Sequence, residues 1–286
     1  MSKVLVTGGK GQLAGCIKDV TLEITDHSFI FKDSGELDIT NKFQIDTYFA
    51  NERLDFCVNC AGYTAVDKAE TESDEAKSVN TDGVRKLAEI CAKYEVKLIH
   101  ISTDFVFDGN TNSPYKEEDS TNPINVYGQT KLGGELAIKV ILKQHFIIRT
   151  SWLYSEYGTN FMKTMLRLGA EQREVRVVDD QVGVPTYAAD LANTILQIIN
   201  KNTDKYGLYH FSNANSTSWF GFAAEIFKSK ALKTHLIPIT TKEYSVPAKR
   251  PAYSVLNTAK IKKTFDLKIP NWKDSLKECL NKLDKN

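Results

Sequence analysis

The chain has 286 residues, of which 42% are hydrophobic and 26% are charged, and its formal net charge is +1. This length is enough to bury a large core, as one large domain or two medium ones, and the near-zero charge indicates neither a nucleic acid nor an acidic membrane surface as partner. The first residues lead directly into a short strand without signal-peptide features, and no apolar run approaches the roughly 18 residues of a transmembrane helix. We therefore expect a cytoplasmic protein without a membrane span.

The first predicted element is a strand over residues 3–7, which runs directly into a glycine-rich turn and a helix. The turn has the spacing Gly8-x-x-Gly11-x-x-Ala14, which differs from the G-x-G-x-x-G of many dehydrogenases. After a strand, such a turn points backbone N–H groups and a helix N-terminus at a pyrophosphate, and the missing side chains let the ligand approach. The alternative is a plain tight turn, but the position directly after the first strand favours a dinucleotide site.

The second predicted strand, residues 29–31, leads to the position expected to meet the adenosine ribose of a dinucleotide. That position lies about 20 residues beyond the glycines, and it is occupied by Lys32 and Asp33. An acid there favours the free 2′-hydroxyl of NAD, whereas a cation suits the 2′-phosphate of NADP. Because both are present, the sequence leaves NADPH and NADH open. Asp38 follows as a candidate helix cap or adenine contact.

Residues 54–60 predict a buried third strand, and small residues follow it directly. Ala61, Gly62 and Tyr63 come where a cofactor can lie against the edge of the sheet. A long helical stretch over residues 66–94 follows, and acidic residues early in it complement the helix dipole. A strand, a short segment of small residues and a helix thus follow one another here, in the same order as at the start of the chain.

A fourth predicted strand, residues 97–102, ends in Ser102, Thr103 and Asp104. Open α/β sheets place their chemistry at the carboxyl ends of their strands, so these side chains are candidates for a functional site. After a polar loop and a further helix, residues 146–150 predict a fifth strand.

The helix between those two strands is predicted over residues 121–140. Asn122 is predicted to be its N-cap, and Pro123 suits the first turn because its missing N–H costs nothing there. Apolar residues four apart predict the stripe that docks this helix on the protein core, namely Leu132, Leu136 and Val140.

Tyr127 and Lys131 lie four residues apart on this helix, and they therefore point the same way. A nearby ammonium group favours the ionised phenol, so we expect the pKa of Tyr127 to lie below its usual value of about 10. Such a phenol can give a proton to a carbonyl oxygen, or take one from an alcohol, near neutral pH. The same spacing also occurs by chance on solvated helices, so the rest of the chain must decide its meaning.

Strands and helices alternate up to residue 150, which indicates an α/β fold with a doubly wound parallel sheet of the Rossmann type. We predict an NAD(P)-binding Rossmann domain over residues 1–150. The looser pattern beyond it predicts a smaller C-terminal mixed α/β domain for the substrate over residues 151–286, with a segment near 175–200 returning to the Rossmann domain. The active site is expected between the two.

The motifs occur in an order that resembles the extended short-chain dehydrogenase/reductase family. The resemblance rests first on Thr7-Gly8-x-x-Gly11, Ser102-Thr103 and Tyr127-x-x-x-Lys131. It is strongest to the members that reduce dTDP-4-keto-6-deoxy sugars. The segments that carry this closer resemblance are GGKGQL (8–13), VNCAGYTAVDKAE (58–70), STDFVFDG (102–109), YGQTKLGGE (127–135), RTSWLY (149–154), NFMKTML (160–166), GVPTYAADL (183–191) and RPAYSVL (250–256).

The resemblance implies hydride transfer from NADPH or NADH to C4 of a dTDP-4-keto-6-deoxy-L-sugar, giving dTDP-L-rhamnose. It implies that Tyr127 donates the proton to the developing alkoxide, that Lys131 lowers the Tyr127 pKa and holds the nicotinamide ribose, and that Thr103 hydrogen-bonds the substrate oxygen. The implied cofactor contacts, besides Tyr127 and Lys131, are Gly8, Gly11, Gln12, Leu13, Asp38, Ile39, Ala61, Gly62 and Tyr63. The implied substrate contacts are Val66, Thr103, Asp104, Phe105, Trp152 and Arg250, of which Arg250 has a structural ion pair as its alternative.

Two positions depart from the family pattern. Some relatives carry a glutamate early in the first helix and use it in a Mg²⁺-linked dimer, whereas Cys16 stands there in this chain. We therefore predict no metal site, and a homodimer is left open. Tyr63 stands where relatives often have histidine, which would alter the substrate contacts.

Three other functions are compatible with this type of fold. A 4,6-dehydratase needs an Asp and then a Glu directly after the threonine, but Asp104 is followed here by Phe105. A nucleotide-sugar 4-epimerase keeps the same tyrosine and lysine and stays open. A non-catalytic NADP-binding regulatory subunit of the methionine adenosyltransferase type is the alternative outside enzymes, and the intact Thr103, Tyr127 and Lys131 argue against it.

Overall fold

The structure of the protein, a computed structural model, describes residues 1–24 and 26–285. Its strands are β1 (Lys3–Thr7), β2 (Ser28–Lys32), β3 (Phe56–Asn59), β4 (Lys97–Thr103), β5 (His145–Thr150), β6 (Leu153–Tyr154), β7 (Glu174–Val178), β8 (Val182–Gly183), β9 (Thr186–Tyr187), β10 (Gly207–His210), β11 (Thr217–Ser218) and β12 (His235–Ile239). Its α-helices are α1 (Gln12–Ile24), α2 (Lys42–Asn51), α3 (Val66–Ala69), α4 (Ser73–Lys77), α5 (Val84–Lys93), α6 (Val126–Ile141), α7 (Phe161–Glu171), α8 (Ala188–Lys201), α9 (Trp219–Ser229), α10 (Ala259–Phe265) and α11 (Trp272–Leu283).

Six strands form one parallel sheet in the order β2-β1-β3-β4-β5-β10. The inner strands are apolar over most of their length, as expected for a sheet that is covered on both faces. The strand order reverses between β1 and β3, so the connections leave the sheet in opposite directions there and open a crevice at the carboxyl ends. The predicted α/β fold with a doubly wound parallel sheet is confirmed.

Alternate residues of each strand supply the cores on the two faces of the sheet. On β1, Val4 and Val6 join one core together with residues of α1, α8, α9 and α11. Leu5, between them, points into the other core with residues of α2, α5 and α6. This alternation follows from the two-residue period of a strand, and it sandwiches the sheet between two layers of helices.

The second half of the chain combines separate small sheets with elements that join the main sheet. β7 pairs with β12, β8 with β11, and β6 with β9. Helix α8 packs against α1, and β10 extends the main sheet beside β5. The division of the chain into domains at residue 150 stays a prediction. No helix in the described ranges is long and apolar enough to cross a bilayer.

Helix α6 begins later than the sequence pattern predicts. Its N-cap is Asn125, whose side-chain oxygen accepts a 2.7 Å hydrogen bond from the Gly128 backbone. The predicted N-cap at Asn122 and the first-turn position for Pro123 are therefore wrong. Asn122 is held in the preceding loop instead, because its side chain donates to Asp108 at 3.2 Å.

The predicted docking stripe of this helix is wrong at two of its three residues, whereas Leu132 is half-buried and packs against a small core cluster. The side chains of Leu136 and Val140 are 53% and 87% exposed. The helix is docked by the opposite side, where a Cβ on Gly134 would come within 2.3 Å of the Asn80 carbonyl oxygen. Only a face without side chains permits this close approach of two backbones, and it is the glycine face that turns inward.

The predicted long helix over residues 66–94 is divided into shorter pieces. Helices α3 and α4 are separated by a turn, and a π-helix, Ser78–Gly83, joins α4 to α5. π-Helical turns are rare and frequently lie at functional sites. This one carries Asn80 to the edge of the crevice.

Candidate active site

A cavity of about 310 Å³ lies at the carboxyl ends of β1, β3, β4 and β5, where the topology opens the crevice. Many residues singled out from the sequence line it. They are Gly11, Gln12, Leu13, Ala61, Gly62, Thr103, Asp104, Tyr127, Lys131 and Trp152. The glycine turn, the residues that follow β4 and the tyrosine–lysine pair therefore meet in one space.

The glycine turn lies against the beginning of the loop after β3. Gly8 has a φ of +67°, and a Cβ there would be 2.7 Å from the Ala61 nitrogen, so both the conformation and the spacing require glycine. The Gly11 N–H donates a 2.8 Å hydrogen bond to the Gly8 carbonyl oxygen. Helix α1 begins directly afterwards at Gln12. The turn and the helix N-terminus form a cradle of the kind that holds a dinucleotide pyrophosphate, and these residues fit that group.

A second cavity of about 570 Å³ adjoins the first and shares Gly11, Ala61 and Gly62 with it. Further residues singled out from the sequence line this cleft, namely Gly8, Asp38, Ile39 and Tyr63. Its position, beside the glycine turn and the end of β2, suits the adenosine half of a dinucleotide. The two cavities together follow the edge of the sheet from β2 to β5.

Charges of both signs lie at the adenosine end of this cleft. Lys10, in the glycine turn, pairs with Asp33 at 2.5 Å, and Lys32 pairs with Glu36 at 3.1 Å. The Asp38 carboxylate accepts hydrogen bonds from the Thr40 N–H and hydroxyl, which form a local turn. An acid, Asp33, and a cation thus both line the cleft at the ribose position, but the cation is Lys10. Lys32, to which the sequence pointed, is not among the lining residues.

Lys131 is buried beside the cavity and is tied to the sheet. Its ammonium donates a 2.6 Å hydrogen bond to the Ile101 carbonyl oxygen. Burial lowers the pKa of Lys131 to about 8, and the nearby Glu135 carboxylate opposes that shift. Gly62 lies beside the ammonium, since a Cβ on this glycine would be in ordinary contact with it at 3.9 Å, and both residues line the cavity.

The Tyr127 phenol is less acidic than the sequence predicts. Burial raises the pKa of Tyr127 to about 12, the Thr103 hydroxyl lowers it in part, and the Asp104 carboxylate raises it further. The expectation that Lys131 would bring this pKa below its usual value is wrong for the structure described here. The reason is that the phenol is desolvated, while the Lys131 ammonium is turned to the Ile101 carbonyl.

Thr103 and Asp104 form a polar wall of the cavity. The Thr103 hydroxyl donates to Asp104 Oδ1 at 3.1 Å and accepts a hydrogen bond from the Phe105 N–H, which caps a short 3-10 helix. Burial raises the pKa of Asp104 to about 6, against the lowering effect of hydroxyl neighbours. In the part of the chain that the structure describes, Asp104 Oδ2 and the Thr150 hydroxyl are buried without a hydrogen-bond partner. Both residues line the cavity, which suits a ligand that carries hydroxyl groups.

The remaining predicted substrate residues, Val66, Phe105 and Arg250, are not among the residues that line the central cavity. The Phe105 ring packs edge-on against Tyr127 with 5.8 Å between ring centres, so it supports the phenol. Val66 begins α3, beside Asp67. Arg250 forms a bidentate ion pair with Asp67 at 3.0 and 2.7 Å, which is the structural alternative that the sequence allowed for it.

Trp152 connects the central cavity to a neighbouring one. Its ring stacks on Trp219 with 3.6 Å between ring centres and an interplanar angle of 9°. Trp219, Phe161 and Arg250 line the neighbouring cavity, which has a volume of about 350 Å³. The stacked pair therefore stands between the two spaces.

Comparison with known proteins gives consistent matches over the whole chain. The sequence profile of the RmlD substrate binding domain matches residues 2–285. The dTDP-4-dehydrorhamnose reductase of Aggregatibacter actinomycetemcomitans is 39% identical over 287 residues, covering 97% of this chain and 98% of that protein. The chain belongs to the dTDP-4-dehydrorhamnose reductase family.

Solved structures of this family have the same fold throughout. The reductase from Clostridium acetobutylicum is 40% identical, with a TM-score of 0.94 over 99% of both chains. The reductase from Bacillus anthracis, solved in complex with NADP, is 39% identical, with a TM-score of 0.94 over 98% of this chain and 99% of that one. The family consists of NAD(P)-dependent oxidoreductases, so the predicted enzyme class and the NADPH or NADH cofactor are confirmed. The reductase interpretation is favoured over the regulatory subunit and the epimerase.

Asn80 is a site residue whose role the sequence analysis missed. Its side chain accepts a 2.9 Å hydrogen bond from the Tyr63 N–H and donates to the Tyr63 carbonyl and the Thr130 hydroxyl, at 3.0 and 3.2 Å. It thus joins the loop of the reductase cofactor cleft to the helix that carries Tyr127 and Lys131. The available signal was an asparagine in the middle of a predicted helix, where it is mildly unfavourable.

Cys16, which stands where some relatives carry a glutamate, is a core residue of α1. It lies buried in the core, and burial raises the pKa of its thiol. No group of three or more His, Cys, Asp or Glu side chains is arranged to hold a metal ion within residues 1–24 and 26–285.

Proposed function

We propose that this chain reduces the C4 ketone of dTDP-4-dehydro-L-rhamnose to dTDP-L-rhamnose, with NADPH or NADH as the reductant. The observation that carries the proposal is that Thr103, Tyr127 and Lys131 line the same cavity as the glycine turn of a dinucleotide cleft. The reductase names of relatives that match nearly the full chain support the choice of substrate.

Tyr127 is proposed as the proton donor to the alkoxide that forms at C4. When bound, a reduced nicotinamide supplies the hydride. Because burial raises the Tyr127 pKa to about 12, the phenol keeps its proton at neutral pH and is in the form that a reduction requires. An alkoxide is a stronger base than a phenolate, so the transfer runs downhill. The Thr103 hydroxyl, which lies against the phenol, would hold the same oxygen of the substrate in place.

Lys131 is proposed to hold the nicotinamide ribose and to stabilise the phenolate that remains after proton transfer. An ammonium group has three N–H donors. One of them is used by the Ile101 carbonyl at 2.6 Å, which fixes the side chain and leaves two donors for the cleft. With a pKa near 8, the amine is mostly charged at neutral pH.

The sugar and the nucleotide are proposed to bind on opposite sides of the stacked tryptophans. Asp104 Oδ2 and the Thr150 hydroxyl, which are buried without partners within the described residues, suit the sugar hydroxyl groups. The neighbouring cavity offers aromatic surface from Phe161 and Trp219, together with the Arg250 guanidinium, for a base and its diphosphate. The Arg250–Asp67 pair would have to share the guanidinium with that diphosphate.

We propose the cytoplasm because the five cysteines are free thiols, as is usual in a reducing compartment. A homodimer stays a prediction, which sedimentation equilibrium of the purified protein would test.

The function is tested by following the absorbance of NADPH and, separately, NADH. The dTDP-4-keto sugar is made in situ by an upstream dehydratase and epimerase, and each component is omitted in turn. We expect cofactor oxidation only in the complete mixture, with one dTDP-L-rhamnose formed per cofactor consumed. Tight NADPH binding without oxidation in any mixture would instead support the non-catalytic alternative.

A further inference from the structure

A fully buried ion pair lies one helical turn beyond Lys131, on the same face of α6. Glu135 and Arg149 are 0% and 1% exposed. The guanidinium binds the carboxylate through two parallel hydrogen bonds, from Nε to Oε1 at 2.9 Å and from Nη2 to Oε2 at 2.7 Å. The Ser102 hydroxyl adds a third bond to Oε1 at 2.5 Å. The carboxylate is therefore fixed in position on both oxygens.

This carboxylate belongs to the same helical row as the site residues. Tyr127, Lys131 and Glu135 follow one another at four-residue spacing, so they occupy successive turns of one face. Lys131 bonds to the Ile101 carbonyl of β4, and Glu135 bonds to Ser102, the next residue of that strand. Two hydrogen bonds to adjacent residues of β4 thus fix the position of α6, and with it that of the lysine and the tyrosine, relative to the sheet.

Glu135 is also the acid that acts on the charge of Lys131. Burial lowers the Lys131 pKa to about 8, and Glu135 is the largest influence that raises it. The other titratable groups that face the amine are neutral near pH 7. Burial raises the pKa of the Cys60 thiol, after β3, to about 12, and it lowers that of the His100 imidazole on β4. The Tyr127 phenol on α6 is likewise protonated.

We propose that Glu135 is a positioning residue for Lys131, and that hydrogen bonds from Arg149 and Ser102 hold the Glu135 carboxylate in place. Its negative charge, held one helical turn from Lys131, keeps the buried amine protonated in the pH range where the cofactor must be held. The neighbouring bond to β4 fixes the distance between α6 and the sheet. The proposal rests on the proposed function for its catalytic meaning, but the charge of Lys131 is measurable without turnover.

The test measures the charge of Lys131 directly. Carbamoylation by cyanate, a small reagent that reacts with neutral amines, is followed against pH at the peptide that contains Lys131. The midpoint is expected near pH 8 in the wild type. Glu135→Gln keeps the size of the side chain and removes its charge, so the midpoint is expected to move down by about one unit or more. Glu171→Gln makes the same change at an exposed glutamate that pairs with Arg167 on α7, and its midpoint is expected to stay at that of the wild type.

A second variant separates this effect from simple loss of the fold. Glu135→Gln leaves the buried Arg149 unpaired, which destabilises a protein strongly. In Glu135→Gln/Arg149→Met the buried ion pair is removed as a whole, so folding is expected to return while the lowered midpoint persists. NADPH binding, measured by fluorescence, is expected to weaken severalfold above pH 7 in this variant and to match the wild type below pH 6.

A Lys131 midpoint in the folded double variant that equals that of the wild type would overturn the proposal, since the ion pair would then be merely structural. If the keto sugar assay failed and the midpoint still moved, the proposed function would fall while the role of Glu135 in setting the Lys131 charge would stand.

Discussion

The Lys131 ammonium donates a hydrogen bond of 2.6 Å to the Ile101 carbonyl oxygen, two residues before Thr103 on β4. This bond fastens α6 to the strand that ends in the polar wall of the cavity. Burial keeps the Tyr127 phenol, one helical turn earlier, protonated. The lysine keeps two N–H donors for a ligand.

Replacement of Lys131 by alanine is expected to weaken NADPH binding at least tenfold, because the cleft loses its ammonium donors. The wild-type value of kcat/KM is expected to fall as pH rises through about 8, where the buried amine loses its proton. Lys131→Ala should lack this fall, and its activity should peak at a higher pH. The measurement is a pH profile of initial rates with both proteins. A decline near pH 8 that survives in the variant would show that another group causes it.

Asp104 is expected to make the stability of the fold depend on pH. Burial raises its pKa to about 6, so the folded protein binds the proton more tightly than the unfolded chain. The stabilisation is therefore complete at low pH and is lost as pH rises through 6, which amounts to about 1 kcal/mol between pH 5 and pH 7.5. Urea unfolding at the two pH values should show this difference in the wild type and a smaller one in Asp104→Asn. Equal differences in the two proteins would remove Asp104 from the explanation.

The Lys10–Asp33 pair is expected to decide between the two cofactors. A lysine at this position favours the 2′-phosphate of NADPH, and an aspartate favours the free 2′-hydroxyl of NADH. Lys10→Ala should raise the KM for NADPH severalfold and leave that for NADH unchanged, whereas Asp33→Asn should raise the KM for NADH. Lys42→Ala, an exposed lysine paired with Glu89, is the control and should change neither. Equal changes in KM for the two cofactors would show that the adenosine ribose does not bind beside the Lys10–Asp33 pair.

Gly134→Ala is expected to destabilise the protein by about 1–3 kcal/mol, as overpacking typically does. The new Cβ would lie 2.3 Å from the Asn80 carbonyl oxygen, and because that atom is backbone, α6 itself must move. Leu136→Ala on the exposed side of the same helix is the matched control and should change the free energy of unfolding by about 0.5 kcal/mol or less. Similar losses in the two variants, measured by urea unfolding, would contradict the glycine docking of α6.

The sheet and the residues that meet at its edge could be predicted because both depend on patterns of residues close together in the sequence. Apolar runs that break into glycine or hydroxyl residues gave the parallel strands and marked their carboxyl ends. The Gly8–Gly11 turn and the Tyr127–Lys131 spacing each depend on residues close in the sequence. Parallel topology then brings all the carboxyl ends to one edge, so separate motifs could be placed together without knowledge of a single long-range contact.

What could not be predicted depends on residues far apart in the chain. Asn125 rather than Asn122 caps α6 because Asp108, in the loop before it, holds Asn122. The inward face of α6 follows from the close approach of the Asn80 backbone, which is 54 positions from Gly134. The pKa of Tyr127 is raised because the surrounding elements desolvate it, and a neighbouring lysine in the sequence gives no sign of that burial.

The central claim is that the Tyr127 phenol gives the proton to the substrate oxygen. Its most direct test compares wild type, Tyr127→Phe and the control Tyr94→Phe, whose hydroxyl donates to the Asp46 carbonyl oxygen on α2. With saturating NADPH and the dTDP-4-keto sugar, kcat is expected to fall by about 10² to 10⁴ in Tyr127→Phe while NADPH binding is kept, and to stay unchanged in Tyr94→Phe. A Tyr127→Phe protein that turns over at the wild-type rate would contradict the claim.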